Sequence, residues 1–333
     1  MGVNHSKYGS KKDRAASHSP TKGTQAKLKS SWLRKSDGML YTRSLPQSPV
    51  RPRSIQESTH SAEGNYSLPD IEAESERRLA NLVDIIFYQY KKYFRAPICC
   101  EPAEILEIGS SADKWVAGVA RLYPMCKVTG LTTHLFQGIS ETLPENASFL
   151  PSSSISHLPF RDNQFNLVYG LCALRYIPFD ILLSVLQEIL RCIQPGGYIE
   201  IWQPDYRYHD SGPAGEAVEK MVWTYLKSRG IRPEVVHHME GLLQDAGFIN
   251  VNAKTSRASI GEWAAMRGRV MANGILGMLR NMADDMIIRG DIETGEQFKT
   301  IIDAWEEEIP HTQVHTLYYS FCAQKPLQDS RSG

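Results

Sequence analysis

The 333 residues include 42% hydrophobic and 22% charged side chains at zero net charge, a balance typical of a globular protein with one core plus appendages. No apolar run approaches the roughly 20 residues of a membrane-spanning helix, and the first residues lack the apolar stretch of a secretory signal. Six cysteines (Cys99, Cys100, Cys126, Cys172, Cys192, Cys322) form no C-x-x-C pair and no His/Cys zinc spacing, so no metal site is expected and they read as reduced thiols of a cytosolic or nuclear protein.

The neutral total conceals a polarity. Residues 1–53 hold twelve Lys/Arg against Asp13 and Asp37, a net +10, and the rest of the chain carries −10. The segment 1–68 is rich in Ser, Lys, Arg and Pro with few apolar side chains. It cannot bury enough surface to offset its ordering entropy, and is expected to be a disordered basic arm. From 71 to 94 apolar residues at helical spacing (Leu79, Leu82, Ile85, Ile86, Tyr90) predict a helix over one edge of a sheet.

After Pro102, strand-length apolar runs alternate with amphipathic stretches. Strands are expected at 104–108, 127–131, 165–169 and 197–202, with helices at 114–122 and 179–193. A further helix is expected at 233–246, and late strands at 248–253 and 316–323. Alternation of this kind predicts an α/β fold: an open, doubly wound sheet of parallel strands. Helices at 262–286 and 295–308 would form an accessory cover over 262–308. The expected organisation is thus an arm 1–68, a domain 69–325 and a disordered tail 326–333.

Four ordered segments carry a resemblance. Ile105-Leu106-Glu107-Ile108-Gly109-Ser110-Ser111-Ala112-Asp113 is similar to the first motif of class I S-adenosylmethionine-dependent methyltransferases. The runs 158–168, 188–198 (with the turn Gln194-Pro195-Gly196-Gly197) and 242–248 resemble that family's later motifs in the same order. Ser259-Ile260-Gly261-Glu262-Trp263 further resembles the fungal LaeA-like branch, a methyltransferase type 11/25-like group.

The resemblance implies a Rossmann-like, seven-stranded and mostly parallel sheet and S-adenosylmethionine as cofactor, and places its site on Glu107, Gly109, Ser110, Ser111, Thr132, Ser154, Tyr169 and Leu171. Gly109 alone of the usual glycines is kept, with Ser111 and Asp113 at the next two positions. Thr132 stands where the family has an acid for the ribose, and Ser154 where it has one for the adenine amino group. Methyl transfer needs chiefly proximity and alignment, so no catalytic residue is compulsory and none is assigned. Tyr206, Tyr208, His209, His237 and His238 are either acceptor-pocket residues or ordinary surface and packing positions.

Two functions therefore stand side by side: transfer of a methyl group to an unknown acceptor, or a catalytically inactive relative acting as an interaction or regulatory protein. No specific nucleic acid is expected as partner. An NAD dehydrogenase is disfavoured, because its glycine fingerprint and following acid are absent. Met1-Gly2-Val3-Asn4-His5-Ser6 fits the N-myristoylation pattern at Gly2, followed by Lys7, Lys11 and Lys12. One acyl chain with a polybasic patch would hold a lipoprotein at the cytoplasmic, anionic face of a membrane. The same basic clusters also read as nuclear import signals.

Overall fold

The computed structural model describes residues 82–84, 86–87, 90–99, 102–109, 112–132, 143–152 and 155–327. The basic arm, Gly2 and residues 328–333 lie outside them. Seven strands form one sheet: β1 (Glu104–Ile108), β2 (Lys127–Thr132), β3 (Ala147–Pro151), β4 (Phe165–Leu171), β5 (Ile193–Pro204), β6 (Ile249–Ser259) and β7 (His315–Gln324). Their order is β3-β2-β1-β4-β5-β7-β6. Pairing is parallel from β3 through β5, whereas β7 runs antiparallel to both β5 and β6. The expected seven-stranded, mostly parallel Rossmann-like sheet is therefore present.

Parallel neighbours need a crossover rather than a tight hairpin, and helices supply it. α1 (Ala112–Leu122) joins β1 to β2, and α2 (Phe179–Cys192) joins β4 to β5. In α2 the buried residues Leu182, Val185, Leu186, Ile189 and Cys192 fall on one helical face. Pro195 cannot continue that helix, and Gly196 turns the chain with φ 81°.

Later helices are α3 (Pro213–Ser228), α4 (Met239–Asp245), α5 (Ala265–Arg289) and α6 (Gly295–Glu308). One core packs α1, α3, α5, α6 and the segment 82–96 on one sheet face, and a second packs α2 and α4 on the other. Thr294 caps α6 by accepting from Gln297 N at 3.1 Å, while Gln297 Oε1 accepts from Glu293 N at 2.9 Å.

The structure corrects several expectations. The helix expected to reach Phe94 shows helical backbone no further than Tyr90, because Lys91 adopts φ 56°. The helix expected at 233–246 is a 3-10 turn, Pro233–His237, followed by α4. The one expected at 262–286 begins with a 3-10 turn, Glu262–Ala264, and continues to Arg289, where Gly290 ends it with φ 74°. Strand β3 and helix α3 were not expected, and α3 belongs to the cover together with α5 and α6.

A polar knot joins α3 to α5. Asp285 Oδ2 accepts from the Tyr225 hydroxyl and Arg229, both at 2.8 Å, and Arg289 Nε reaches both carboxylate oxygens at 3.1 Å. Burial opposes the Asp285 charge, but these donors together outweigh it and lower its pKa. The stabilisation is present above the ordinary aspartate range and is lost as pH falls through the lowered value. Asp285→Asn is expected to cost about 1–3 kcal/mol at neutral pH. In urea unfolding, the gap from wild type should close as pH falls below about 4.

Candidate functional site

In open α/β sheets ligands bind beyond the carboxyl ends of the strands, and the described part of the expected cofactor site gathers there. Glu107 and Gly109 are at the end of β1, Thr132 is the last residue of β2, and Tyr169 and Leu171 are at the end of β4. Leu131 pairs with Ile108, so Thr132 stands level with Gly109. Ser110, Ser111 and Ser154 lie outside the described residues, as does the side chain of Thr132.

Gly109 leaves β1 with φ 104°, and a Cβ there would stand 2.8 Å from both Cα and Cβ of Ala173. Ala173 begins the 3-10 turn Ala173–Tyr176, entered through Cys172 at φ 54°. The same Ala173 lies 3.0 Å from where a Gly170 Cβ would be. The end of β1 thus accommodates the turn after β4 as well as any ligand. Gly109→Ala is expected to lower stability by about 1–3 kcal/mol, from positive φ and contact with Ala173 main chain. Thermal unfolding tests this; an unchanged midpoint would refute the tight packing.

Behind these ends runs a buried polar row. Glu107 pairs with Tyr169 across β1–β4, and Tyr169 with Glu200 across β4–β5. All three are fully buried. Tyr169 stacks on Trp115 of α1 with centroids 4.2 Å apart and planes 12° from parallel. Burial, then the charges of Glu200 and Glu107, push the Tyr169 hydroxyl well above its usual pKa. Tyr169 and Leu171 are therefore core side chains, and what they offer a ligand is main chain. Glu200 accepts from the main-chain N–H groups of Arg95 (2.6 Å) and Ala96 (2.8 Å) and from Trp202 Nε1 (2.8 Å). It ties the incoming chain to the sheet.

The loop after β5 contains a pair that the sequence reading half identified. Asp205, 1% exposed at its side chain, places Oδ2 2.6 Å from Nε2 of His209, itself one-third exposed. Asp205 Oδ1 accepts from Thr316 Oγ1 (3.0 Å), Arg207 N (3.1 Å) and Leu317 N (3.3 Å). His315 stacks on His209 at 5.2 Å. Tyr206 and Asp210, on either side, adopt φ 55° and 56°. Strain of this kind concentrates at functional sites. Asp205 went unnoticed in the sequence, though its place one residue past the end of β5 is the available signal.

The other candidates divide. Tyr208 is buried against Trp305, centroids 4.6 Å apart, and is core. His237 and His238 are exposed, with His237 edge-on to Tyr319 at 5.4 Å. Beside the loop, a cleft of about 620 Å³ is lined by Arg207, Tyr208, Lys220 and Trp223, among others. Among the described residues no cluster of three or more His, Cys, Asp or Glu could hold a metal, and no helix is long and apolar enough to cross a membrane. Cys126, Cys172, Cys192 and Cys322 are buried and form no disulfide among the described residues.

Comparison with known proteins bears on this arrangement. Residues 106–201, from β1 through most of β5, match the family described as methyltransferase domain. The N-methyltransferase verN of Clonostachys rogersoniana is 22% identical over 282 residues, covering 80% of this chain and 94% of that protein. Methyltransferase str3 of Strobilurus tenacellus is 24% identical over 198 residues, covering 58% and 69%. Among solved structures, a phosphoethanolamine N-methyltransferase 2 of Haemonchus contortus, in complex with phosphomonomethylethanolamine and S-adenosylhomocysteine, superposes with TM-score 0.46 at 13% identity. That alignment covers 78% of this chain and 58% of that one. Over the matched segment this chain is similar to a methyltransferase domain.

Proposed function

We propose that the chain transfers the methyl group of S-adenosylmethionine to an acceptor held at the carboxyl ends of β4 and β5. The observation that carries this reading is the match over 106–201, which spans the strands whose ends gather Glu107, Gly109, Thr132 and Leu171. When bound, the cofactor supplies an electrophilic sulfonium methyl. The Gly109 turn brings main chain to the end of β1, and Glu107 keeps the family's acidic position there. Proximity does most of the remaining work. Where the acceptor must lose a proton, His209 is placed to take it, with Asp205 holding the ring in one orientation.

A second reading is favoured by particular residues. Thr132 and Ser154 replace the acids expected to meet the ribose and adenine, and Ala173 fills the space beside Gly109. A chain with these features could keep the fold as an interaction platform without turnover. The closer kinship with the LaeA-like branch rests on Ser259-Ile260-Gly261-Glu262-Trp263, which forms the turn between β6 and α5. On either reading the basic arm is proposed to direct location, through a lipid on Gly2 at an anionic membrane or through nuclear import.

Calorimetric titration with S-adenosylmethionine and S-adenosylhomocysteine tests the main reading. Saturable binding of both, competing for one site, is the expected result. Absence of binding at millimolar ligand would favour the platform. Fractionating cells that express wild type and Gly2→Ala tests the lipid, because equal partition of the two would exclude it.

A further inference from the structure

A second cleft, of about 560 Å³, lies on the sheet face that carries α1, and its chemistry differs from that of the first. It is lined by Lys92, Arg95, Tyr198, Asn250, Asn252 and Lys254, with Tyr90, Pro97 and Cys322 completing the wall. It holds three cations and no carboxylate, in a body whose sequence carries net −10. None of Lys92, Arg95 and Lys254 forms an ion pair among the described residues. Lining a concave surface with one sign of charge raises the local concentration of the opposite sign.

The donors come from three separate elements, and hydrogen bonds hold Arg95, Asn252 and Asn250 in place, the last donating to Gln324 Oε1 at 2.8 Å. Arg95 gives N–H groups to Ser320 Oγ and, at 2.9 Å, to Asn252 Oδ1. A guanidinium has five donors, so others remain. Asn252 spends its carbonyl oxygen on Arg95, which leaves its amide N–H groups to the cleft. The hydroxyl of Tyr198 forms no hydrogen bond among the described residues. Strand β6 bulges between Ile249 and Asn252, and Asn250 there adopts φ 53°. Bulges re-aim side chains, and this one puts Asn250 and Asn252 on the same wall. Glu200, beneath, is occupied by the Arg95 and Ala96 amides and Trp202.

We propose that this cleft binds the phosphate group of an anionic ligand. Three cations with amide and hydroxyl donors around one space match a multiply charged tetrahedral oxyanion better than a carboxylate, which one arginine alone can grip. The volume falls within the roughly 300–1,000 Å³ of ligand pockets, so the phosphate is carried on a larger molecule. Tyr198 is six residues before the end of β5, about 20 Å along the strand. The site is thus separate from the carboxyl ends where methyl transfer is proposed, and it does not depend on that reading.

The test is lysine acetylation of the full-length chain, followed by mass spectrometry. Lys220 and Lys227, exposed beside the other cleft, are internal controls. The probes are inorganic pyrophosphate, glycerol 3-phosphate, and phosphatidylcholine vesicles with or without phosphatidylinositol 4-phosphate. At a ligand concentration of about four times Kd, Lys92 and Lys254 should react about fivefold more slowly while the controls are unchanged. In Lys254→Glu, whose thermal unfolding without ligand should match wild type, protection of Lys92 should need about tenfold or more ligand. Protection by the soluble phosphates identifies a soluble ligand, and protection only by the phosphoinositide vesicles identifies a lipid headgroup. Protection by no probe, equal slowing of the control lysines, or unchanged protection in Lys254→Glu would overturn the proposal.

Discussion

Trp115→Ala is expected to destabilise the fold by about 3–5 kcal/mol, the range for removing a buried large aromatic side chain. Trp115 is 1% exposed and belongs to the core beneath α1. Its ring stacks on Tyr169 at 4.2 Å, and such pairs add about 0.5–1.5 kcal/mol beyond area burial. Its Nε1 donates to Tyr93 O at 3.0 Å, which ties the segment before β1 to α1. The truncation therefore opens a cavity, strands a carbonyl and leaves the fully buried Tyr169 without its platform. Domains of ordinary stability have only about 5–15 kcal/mol in total, so a large share would be lost. Trp115→Phe keeps the stack and loses the hydrogen bond, and should cost about 1–2 kcal/mol. Urea unfolding of both variants measures this. A loss under about 1 kcal/mol for the alanine variant would mean that α1 is held to the sheet by other contacts.

The central strands were legible because they are buried on both faces and read as continuous apolar runs, as in Phe165-Asn166-Leu167-Val168-Tyr169. β3 was not: it is five residues long, sits at the sheet edge with no fully buried residue, and ends in Pro151. α3 carried a readable pattern, since Val218, Met221, Val222, Tyr225 and Leu226 recur at helical spacing after Pro213. Its many charged residues and the Gly-Pro entry masked it. The helix predicted at 233–246 is divided at His238 between a 3-10 turn and α4, and the one predicted at 71–94 has no helical backbone at Lys91, where φ is 56°.

At the candidate site, strand position was easier to read from sequence than side-chain direction. Glu107 and Gly109 were found from the motif, and both stand at the end of β1. That Tyr169 and Leu171 would turn inward was implicit in strand alternation: Leu167, Tyr169 and Leu171 share a face, and α1 covers it. Glu200 was readable in the same way, as an acid at an inward position between Tyr198 and Trp202. Its partners, the Arg95 and Ala96 amides, were not, because they come from a segment 104 and 105 residues away. The Asp205–His209 pair is local in sequence, yet its meaning depends on Thr316 and Leu317 arriving from β7.

Replacing Thr132 and Ser154 by aspartate is expected to tighten S-adenosylmethionine binding by about two to four decades at most. Each restored carboxylate offers a charge-assisted hydrogen bond of about 1.5–3 kcal/mol, and every 1.4 kcal/mol is about tenfold. The geometry supports the larger share for position 132. It is the last residue of β2, pairs with Pro151 and stands level with the Gly109 turn at the strand ends. Position 154 lies three residues beyond the end of β3, so its gain is the smaller and more dependent on local conformation. A cost accompanies the gain: without ligand, an aspartate at 132 adds negative charge to a region that already contains Glu107, which is fully buried. Thr132→Asp should therefore lower the thermal midpoint of the free protein, and ligand should raise it more than in wild type. Thr132→Asn, isosteric but neutral, should gain little affinity. Titration calorimetry of wild type, both single variants and the double variant decides the matter. Micromolar or tighter binding by wild type would sink the idea, because the pocket would then be using contacts that need neither acid.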